Sequence, residues 1–125
     1  MRMALRLILA TALLGAAMAA SVGPTFAVGE TIKVTCTNGF ERTVSAYAAR
    51  GVAKSLTKFN EYRGSSITCA AAPGAPRVAA VTFRTVSCSN GFERDVNARA
   101  AGGIAKALNA FNEHNRSGIT CVLGA

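Results

Sequence analysis

The chain has 125 residues, half of them hydrophobic, and its 14 Lys and Arg against 6 Asp and Glu give a formal net charge of +8 at pH 7. This surplus favours anionic partners such as nucleic acid, anionic envelope polymers or phospholipid surfaces, although positive charge can also serve only to keep a protein soluble. The four Cys are at least 19 residues apart and there is one His, which excludes the closely spaced ligand pairs of a structural zinc site.

The N-terminal segment has the features of an export signal. Arg2 and Arg6 precede an apolar, Ala-rich run over residues 7–20, which is the order of the basic and hydrophobic regions of a signal peptide. The run is shorter than the roughly 20 residues that span a bilayer, which argues against a membrane anchor. We assign residues 1–27 to a signal peptide and expect a secreted or periplasmic protein without a transmembrane segment in its mature part.

An internal duplication determines the domain organisation. Residues 36–69 align without a gap with residues 88–121, at an offset of 52, and 21 of the 34 positions are identical. The chain therefore divides into repeat 1 (28–69), a linker containing Pro and Gly (70–81) and repeat 2 (82–125).

Each repeat begins with the signals of a β-hairpin. Residues 32–36 alternate apolar and polar side chains, as a half-buried strand does. The Asn-Gly pairs at 38–39 and 90–91 favour a type I′ turn, because both residue types tolerate a positive φ. A helix that begins at Phe40 with a capping box is an alternative to the returning strand.

A helix and a third strand are expected after the hairpin. Ser45 and Asn97 are suitable N-cap residues, and apolar side chains then recur at helical spacing. Gly51 and Gly103 within these helices indicate the close approach of another backbone. The third strands are predicted over residues 65–69 and 117–121. The expected fold is α+β, with two tandem β-β-α-β repeats that form a small two-layer α/β sandwich.

The four Cys predict two disulfides, because an even number in a small exported chain is typical of a disulfide framework. The duplication gives each repeat its own pair at one spacing, which favours the pairings Cys36–Cys69 and Cys88–Cys121. Pairing across the repeats is the alternative that the sequence leaves open.

No motif of a hydrolase or a nucleotide-binding protein occurs, so we expect no cofactor and no catalytic residue. The alternative is a secreted toxin or small nuclease-like enzyme with Glu113 as base and His114 as acid. Arg94 or Arg116 would then bind the phosphate. His114 also suits the C-terminal end of a helix simply because of the helix dipole, and Tyr62 takes its place in repeat 1.

One arginine recurs between apolar residues of both returning strands. Arg42 shares a strand face with Phe40 and Val44 if this segment is extended. We expect each such arginine to form a structural ion pair at the end of the following helix, because a charge on an apolar face needs a fixed partner. The expected pairs are Arg42–Glu61 and Arg94–Glu113. The other interpretation is an anion-binding spot formed with a nearby lysine.

Eight other basic residues form the candidate binding surface. They are Arg50, Lys54, Lys58, Arg63, Arg77, Arg99, Lys106 and Arg116. The expected function is that of a small exported, disulfide-stabilised, non-catalytic binding protein with an anionic polymer or surface as its partner.

Export of the full-length chain is the first testable prediction. The mature protein should begin at Ala20 or Val28, because cleavage sites with small residues precede both positions. Intact-mass analysis of the protein from the periplasm or medium measures this. Accumulation of uncleaved chain in the cytosol would contradict it.

Overall fold

A computed structural model describes residues 29–124, so the proposed signal peptide lies outside the described residues. Two units with the same element order follow one another. The first comprises β1 (Thr31–Cys36), β2 (Glu41–Ser45), α1 (Ala49–Tyr62) and β3 (Cys69–Ala71). The second comprises β4 (Phe83–Cys88), β5 (Glu93–Asn97), α2 (Ala101–Asn115) and β6 (Cys121–Leu123). The predicted α+β fold of two β-β-α-β repeats is confirmed.

Each unit forms its own three-stranded antiparallel sheet, with the strand orders β2-β1-β3 and β5-β4-β6. Helix α1 packs on β1 and β3, and α2 packs on β4 and β6. The two helices also contact each other, and one hydrophobic cluster contains buried residues from both units. The two sheets therefore share a single core.

The Asn-Gly pairs lie in the loops of β-hairpins. The segment after Phe40 is therefore the strand β2, and the alternative of a helix that begins at Phe40 is wrong. The geometry of these loops differs from the predicted type I′ turn, because Gly39 has a φ of 94° whereas Asn38 does not have a positive φ. The Gly39 N–H donates to the Cys36 carbonyl at 3.1 Å, which closes a loop whose third residue is left-handed. The Asn38 Oδ1 accepts the Phe40 N–H at 3.2 Å, and this local bond explains the preference for Asn.

Each helix begins three residues beyond the predicted start. Ser45 and Asn97 are the last residues of β2 and β5, and the N-caps are Ala48 and Ala100 without a side-chain hydrogen bond. The physical reason is the strand ladder, which continues to the pairing of Ser45 with Thr31 and keeps this backbone extended.

The third strands begin at the cysteines, whereas the sequence pattern predicts strands that end there. Cys69 is paired with Cys36, the last residue of β1, so residues 65–68 run past the end of β1 and have no ladder partner in it. Residues 70–71, assigned to the linker from the sequence, belong to β3.

A helix side chain closes the outer edge of each third strand. The Thr57 hydroxyl accepts the Cys69 N–H at 2.9 Å and lies 3.2 Å from the carbonyl oxygen of the same residue. The Asn109 amide accepts the Cys121 N–H at 2.6 Å and donates to its carbonyl at 2.9 Å. Different residues at equivalent positions thus satisfy the same two backbone groups, which protects a strand edge.

Both predicted disulfides are present, as Cys36–Cys69 and Cys88–Cys121, and no cysteine is free. Each joins the first and third strands of its own unit at directly paired positions. Each bridge spans a sequence separation of 33. On the chain-entropy estimate such a bridge stabilises the fold by about 3–4 kcal/mol.

The hairpin of each unit packs against the helix of the other unit. The ring of Phe40 lies edge-on to that of Phe111, and the ring of Phe92 lies edge-on to that of Phe59, with centroids 5.3 Å apart in both pairs. The rings of Phe59 and Phe111 also pack against each other, with centroids 6.3 Å apart, and both residues are fully buried. These four rings, the aromatic cluster, are therefore buried jointly by both units.

The helices approach each other at their glycines. A Cβ placed on Gly51 would lie 3.3 Å from the Cδ1 atom of Ile104, and one on Gly103 would lie 3.7 Å from the Cβ atom of Ala48. The approach predicted at these positions is therefore made by side chains of the other unit rather than by its backbone.

The shared core predicts that the two units unfold together. Leu108 in α2 is fully buried, so Leu108→Ala should lower the free energy of unfolding by about 2–5 kcal/mol. Both tyrosines belong to the first unit, so tyrosine fluorescence reports on that unit and on its contacts with the second, whereas far-UV circular dichroism reports on both units equally. The urea midpoints measured by tyrosine fluorescence and by circular dichroism should decrease by the same amount.

The matched control is Leu56→Ala at the equivalent buried position of α1. A tyrosine transition that keeps the wild-type midpoint in Leu108→Ala would contradict the single core.

Candidate functional site

The repeated arginines lie on the helix-facing side of the sheets, as the strand alternation predicts. Arg42 is paired with Val34, Arg94 is paired with Val86, and both valines are fully buried. Directly paired residues of an antiparallel ladder project to one face, so each arginine stem runs along the core. Both arginines are half-buried, and their Nε atoms are buried without a hydrogen-bond partner among the described residues.

The expected ion pairs Arg42–Glu61 and Arg94–Glu113 are not present within residues 29–124. Glu61 instead lies 3.5 Å from the Nζ atom of Lys58 on the same helix. The reason is the cross-packing of the units, because β5 contacts α1 and β2 contacts α2. Arg94 accordingly shares a shallow cavity with Lys58 and Glu61 of the first unit.

The predicted surface cations are spread over several contacts. Arg63 lies over a core phenylalanine ring, 5.6 Å from its centroid. Arg99 lies 4.3 Å from the ring centroid of Tyr47 and hydrogen-bonds to its hydroxyl. Lys106 is exposed on α2, and Arg116 caps the C-terminus of that helix with a φ of 55°. The structure does not gather these residues into one site.

Three other basic side chains line an open groove between α1, β3 and the linker, which we call the linker groove. Arg50 and Lys54 are one turn apart on α1, and Arg77 belongs to the linker. The groove has a volume of about 520 Å³, and the residues that line it include no Asp or Glu. Its field is therefore of one sign.

Hydrogen bonds hold the linker against the first unit. The Ala72 N–H donates to the Lys33 carbonyl at 2.9 Å, and the Arg50 Nε donates to the Ala75 carbonyl at 2.9 Å. Ala75 itself is buried. The bond from Arg50 fixes its guanidinium beside the linker and uses only one of five N–H donors.

A second cavity, which we call the linker cleft, adjoins the groove and shares Arg50 and Lys54 with it. Its volume is about 260 Å³. Sequence reasoning missed three of the side chains that line it, namely Tyr47, Ser55 and Phe83. The available signal was a difference between the repeats, which carry Arg99, Ala107 and Thr31 at the equivalent positions.

The candidate nuclease residues Glu113 and His114 are neighbours on the exposed end of α2. Adjacent residues of a helix do not face each other. The His114 ring packs edge-on against Phe40 with centroids 5.6 Å apart, and Tyr62 packs in the same way against Phe92 at 5.7 Å. In each unit, the residue at this position packs on the hairpin phenylalanine of the other unit, and both a histidine and a tyrosine fulfil this packing role.

Two further features concern the described residues alone. Within residues 29–124, no group of three or more His, Cys, Asp and Glu side chains is arranged to hold a metal ion. In the same part of the chain, no helix combines the length and the apolar character that crossing a membrane requires.

The buried arginine Nε predicts an unusual mutational pattern. Arg42→Met keeps an apolar stem and removes the unpartnered donor, so its free energy of unfolding should equal or exceed that of the wild type. Arg42→Ala removes the stem as well and should cost about 1–2 kcal/mol. Urea titration of both variants measures this.

The control adds Glu61→Ala to Arg42→Ala. Because Arg42 and Glu61 are not paired, the two effects should add to within about 0.5 kcal/mol. A larger coupling energy would mean that Arg42 and Glu61 do interact, as the sequence predicted, and would contradict their separation in the structure.

No protein-family model matches the chain, and neither a curated protein nor a solved structure proved similar to it. Support for a function therefore comes from the geometry of the described residues.

Proposed function

We propose that the protein is an exported, disulfide-stabilised binding protein without catalytic activity, and that its linker groove holds an anionic polymer. The observation that carries the proposal is the grouping of Arg50, Lys54 and Arg77 in one groove lined by no acidic residue. A groove of one sign concentrates the electrostatic field and favours a partner with repeated negative charges.

The overall charge supports this proposal. Without Arg2 and Arg6 of the leader, 12 of the 14 basic residues remain against all 6 acidic residues. Lys33–Glu41 and Lys58–Glu61 form ion pairs in the described part of the chain, and neither pair involves a residue of the groove. The cations of the groove are thus available to an external anion.

The rigidity of the groove also supports the proposal. One wall is α1, another is a strand tied to β1 by a disulfide, and the linker is hydrogen-bonded on both sides of Pro73. A preformed site loses less conformational entropy when it binds a ligand.

The disulfides support the proposed location. Two disulfides in a chain of this size are typical of an oxidising compartment outside the cytosol, and the N-terminal segment has the order of a signal peptide. The alternative of a toxin or nuclease rests on Glu113 and His114, and the packing of His114 on Phe40 gives it no support.

Salt-gradient elution from a heparin column tests the groove. The change is Arg50→Gln, Lys54→Gln and Arg77→Gln together in the oxidised mature protein. Elution should move to clearly lower salt, because three phosphate- or sulfate-binding cations are lost from one site. With duplex DNA as the probe, the slope of log K against log salt should fall in magnitude by about 2–3.

The matched control removes three exposed charges elsewhere, namely Lys33, Lys106 and Arg116, each replaced by Gln. Lys106 is the counterpart of Lys54 in the other repeat. If both triple variants shift equally, the charge acts diffusely and the groove is not the site.

A further inference from the structure

The linker cleft combines apolar walls with basic side chains. It lies between the first half of α1, the edge strand β5, the start of α2 and the linker. Val78, Val96 and Ile104 provide apolar surface, and Arg50, Lys54 and Arg94 provide positive charge. At about 260 Å³, the cavity is close to the lower end of the size range of small-ligand sites.

Two aromatic side chains on the lining of the cleft are exposed. Phe83 is 60% exposed and Tyr47 is 38% exposed. An exposed phenylalanine leaves a large apolar area in water, and a ligand with an apolar part would cover that area. The equivalent position in repeat 1 carries Thr31, so the repeated fold does not require an aromatic residue here.

Two polar groups of the lining residues have no hydrogen-bond partner within the described chain. The Ser55 side chain is 1% exposed, and its Oγ is unpartnered. The Arg94 Nε is also buried and unpartnered, but the Arg42 Nε outside the cleft is so as well, which leaves the Ser55 hydroxyl as the group specific to this cavity. Leaving such groups unsatisfied costs stability, and that cost is recovered if a ligand accepts hydrogen bonds from them. Ala107 stands in the place of Ser55 in repeat 2, so the fold does not need this hydroxyl.

The charge of the lining favours an anion, because Arg50, Lys54 and Arg94 stand against one carboxylate. Asp95 is the one acidic residue among the lining residues, and its carboxylate already accepts the Thr85 hydroxyl at 2.6 Å. A guanidinium matches a carboxylate by two parallel hydrogen bonds. The apolar walls then favour a ligand whose remainder is a hydrocarbon chain or ring.

From these features we propose that the linker cleft binds a small carboxylate with an apolar tail or ring. The carboxylate accepts hydrogen bonds from Arg94 and Ser55, and the apolar part lies against Phe83 and Ile104. Lys54 adds positive charge at the same end. This site goes beyond the proposed polymer site, because it depends on Ser55, Phe83 and Arg94, none of which lines the linker groove.

The linker explains why the site is formed by one repeat and not by both. Pro76, Val78 and Ala80 form one wall, and the chain has one such linker. Arg42 has the same strand register as Arg94 and the same unpartnered Nε, but it stands on the other unit. Arg42 is therefore a matched control for Arg94.

Calorimetric titration of the oxidised mature protein with octanoate tests the proposal. Octanoate should bind with one-to-one stoichiometry, and the uncharged analogue octanol should bind at least about tenfold more weakly. Ser55→Ala should weaken octanoate binding by about tenfold or more, since it removes a hydrogen bond to a charged group. It introduces the residue of repeat 2 and is the variant least disturbing to the fold. Arg94→Gln should weaken binding at least as much.

The controls are Arg42→Gln and Ser66→Ala, the latter at an exposed serine that lines neither linker cavity, and both should bind octanoate as the wild type does. The absence of octanoate binding, equal binding of octanol, or unchanged binding by Ser55→Ala and Arg94→Gln would each overturn the proposal. Tighter binding of inorganic phosphate than of octanoate would overturn the ligand class.

The same variants separate this proposal from the proposed function. Ser55→Ala leaves the charge of the protein unchanged, so its elution from heparin should stay at the wild-type salt concentration. Heparin binding without octanoate binding would remove only the cleft proposal. Octanoate binding by a protein that does not bind heparin would remove only the polymer proposal.

Discussion

Phe40 and Phe92 stand where the two hairpins turn back, and each packs edge-on against a phenylalanine from the helix of the other unit. Much of the remaining structure depends on this reciprocal packing of each hairpin on the other unit's helix, which we call the exchange. Edge-to-face contacts between buried rings stabilise beyond their area alone, and here they join residues that are far apart in the chain. Each sheet is a small three-stranded layer with one helix, and the exchange gives the two layers one core large enough for stability.

The same exchange determines the environment of the charged residues. Because each hairpin faces the opposite helix, Arg94 lies near Lys58 and Glu61 of the first unit. Hydrogen bonds to Lys33 and Arg50 hold the linker over the first unit as it crosses from the end of β3 to the start of β4. In crossing, it brings Arg77 beside Arg50 and Lys54 and forms a wall of both linker cavities. An almost symmetric duplication thereby acquires an asymmetric surface, and the asymmetric surface is where both proposed sites lie.

Local constraints complement the shared core. The disulfides join first and third strands, and Thr57 and Asn109 satisfy the outer backbone groups of the two cystines from the helix side. Thr and Asn are different residues, yet each offers one donor and one acceptor within reach of the strand. This equivalence shows how the repeats diverged in sequence while they kept the same hydrogen bonds. The positions at the linker cleft differ in chemical type between the repeats, with Ser55 against Ala107 and Phe83 against Thr31.

The duplication determined the division into two similar repeats, and the alternation of side chains predicted the apolar-face position of Arg42 and Arg94, because these depend on local periodicity and on one repeated spacing. The same patterns favoured the hairpins and the disulfides within each repeat, but the tertiary structure decided them against a longer helix and against pairing across the repeats. Only the tertiary structure decided which helix each hairpin faces. Both helices offer a phenylalanine at the same position, so packing within a repeat and packing across repeats have the same sequence pattern. The absence of an Arg42–Glu61 pair follows from that choice, and the grouping of Arg50, Lys54 and Arg77 follows from the path of the linker over the first unit, because both depend on contacts between residues distant in the chain.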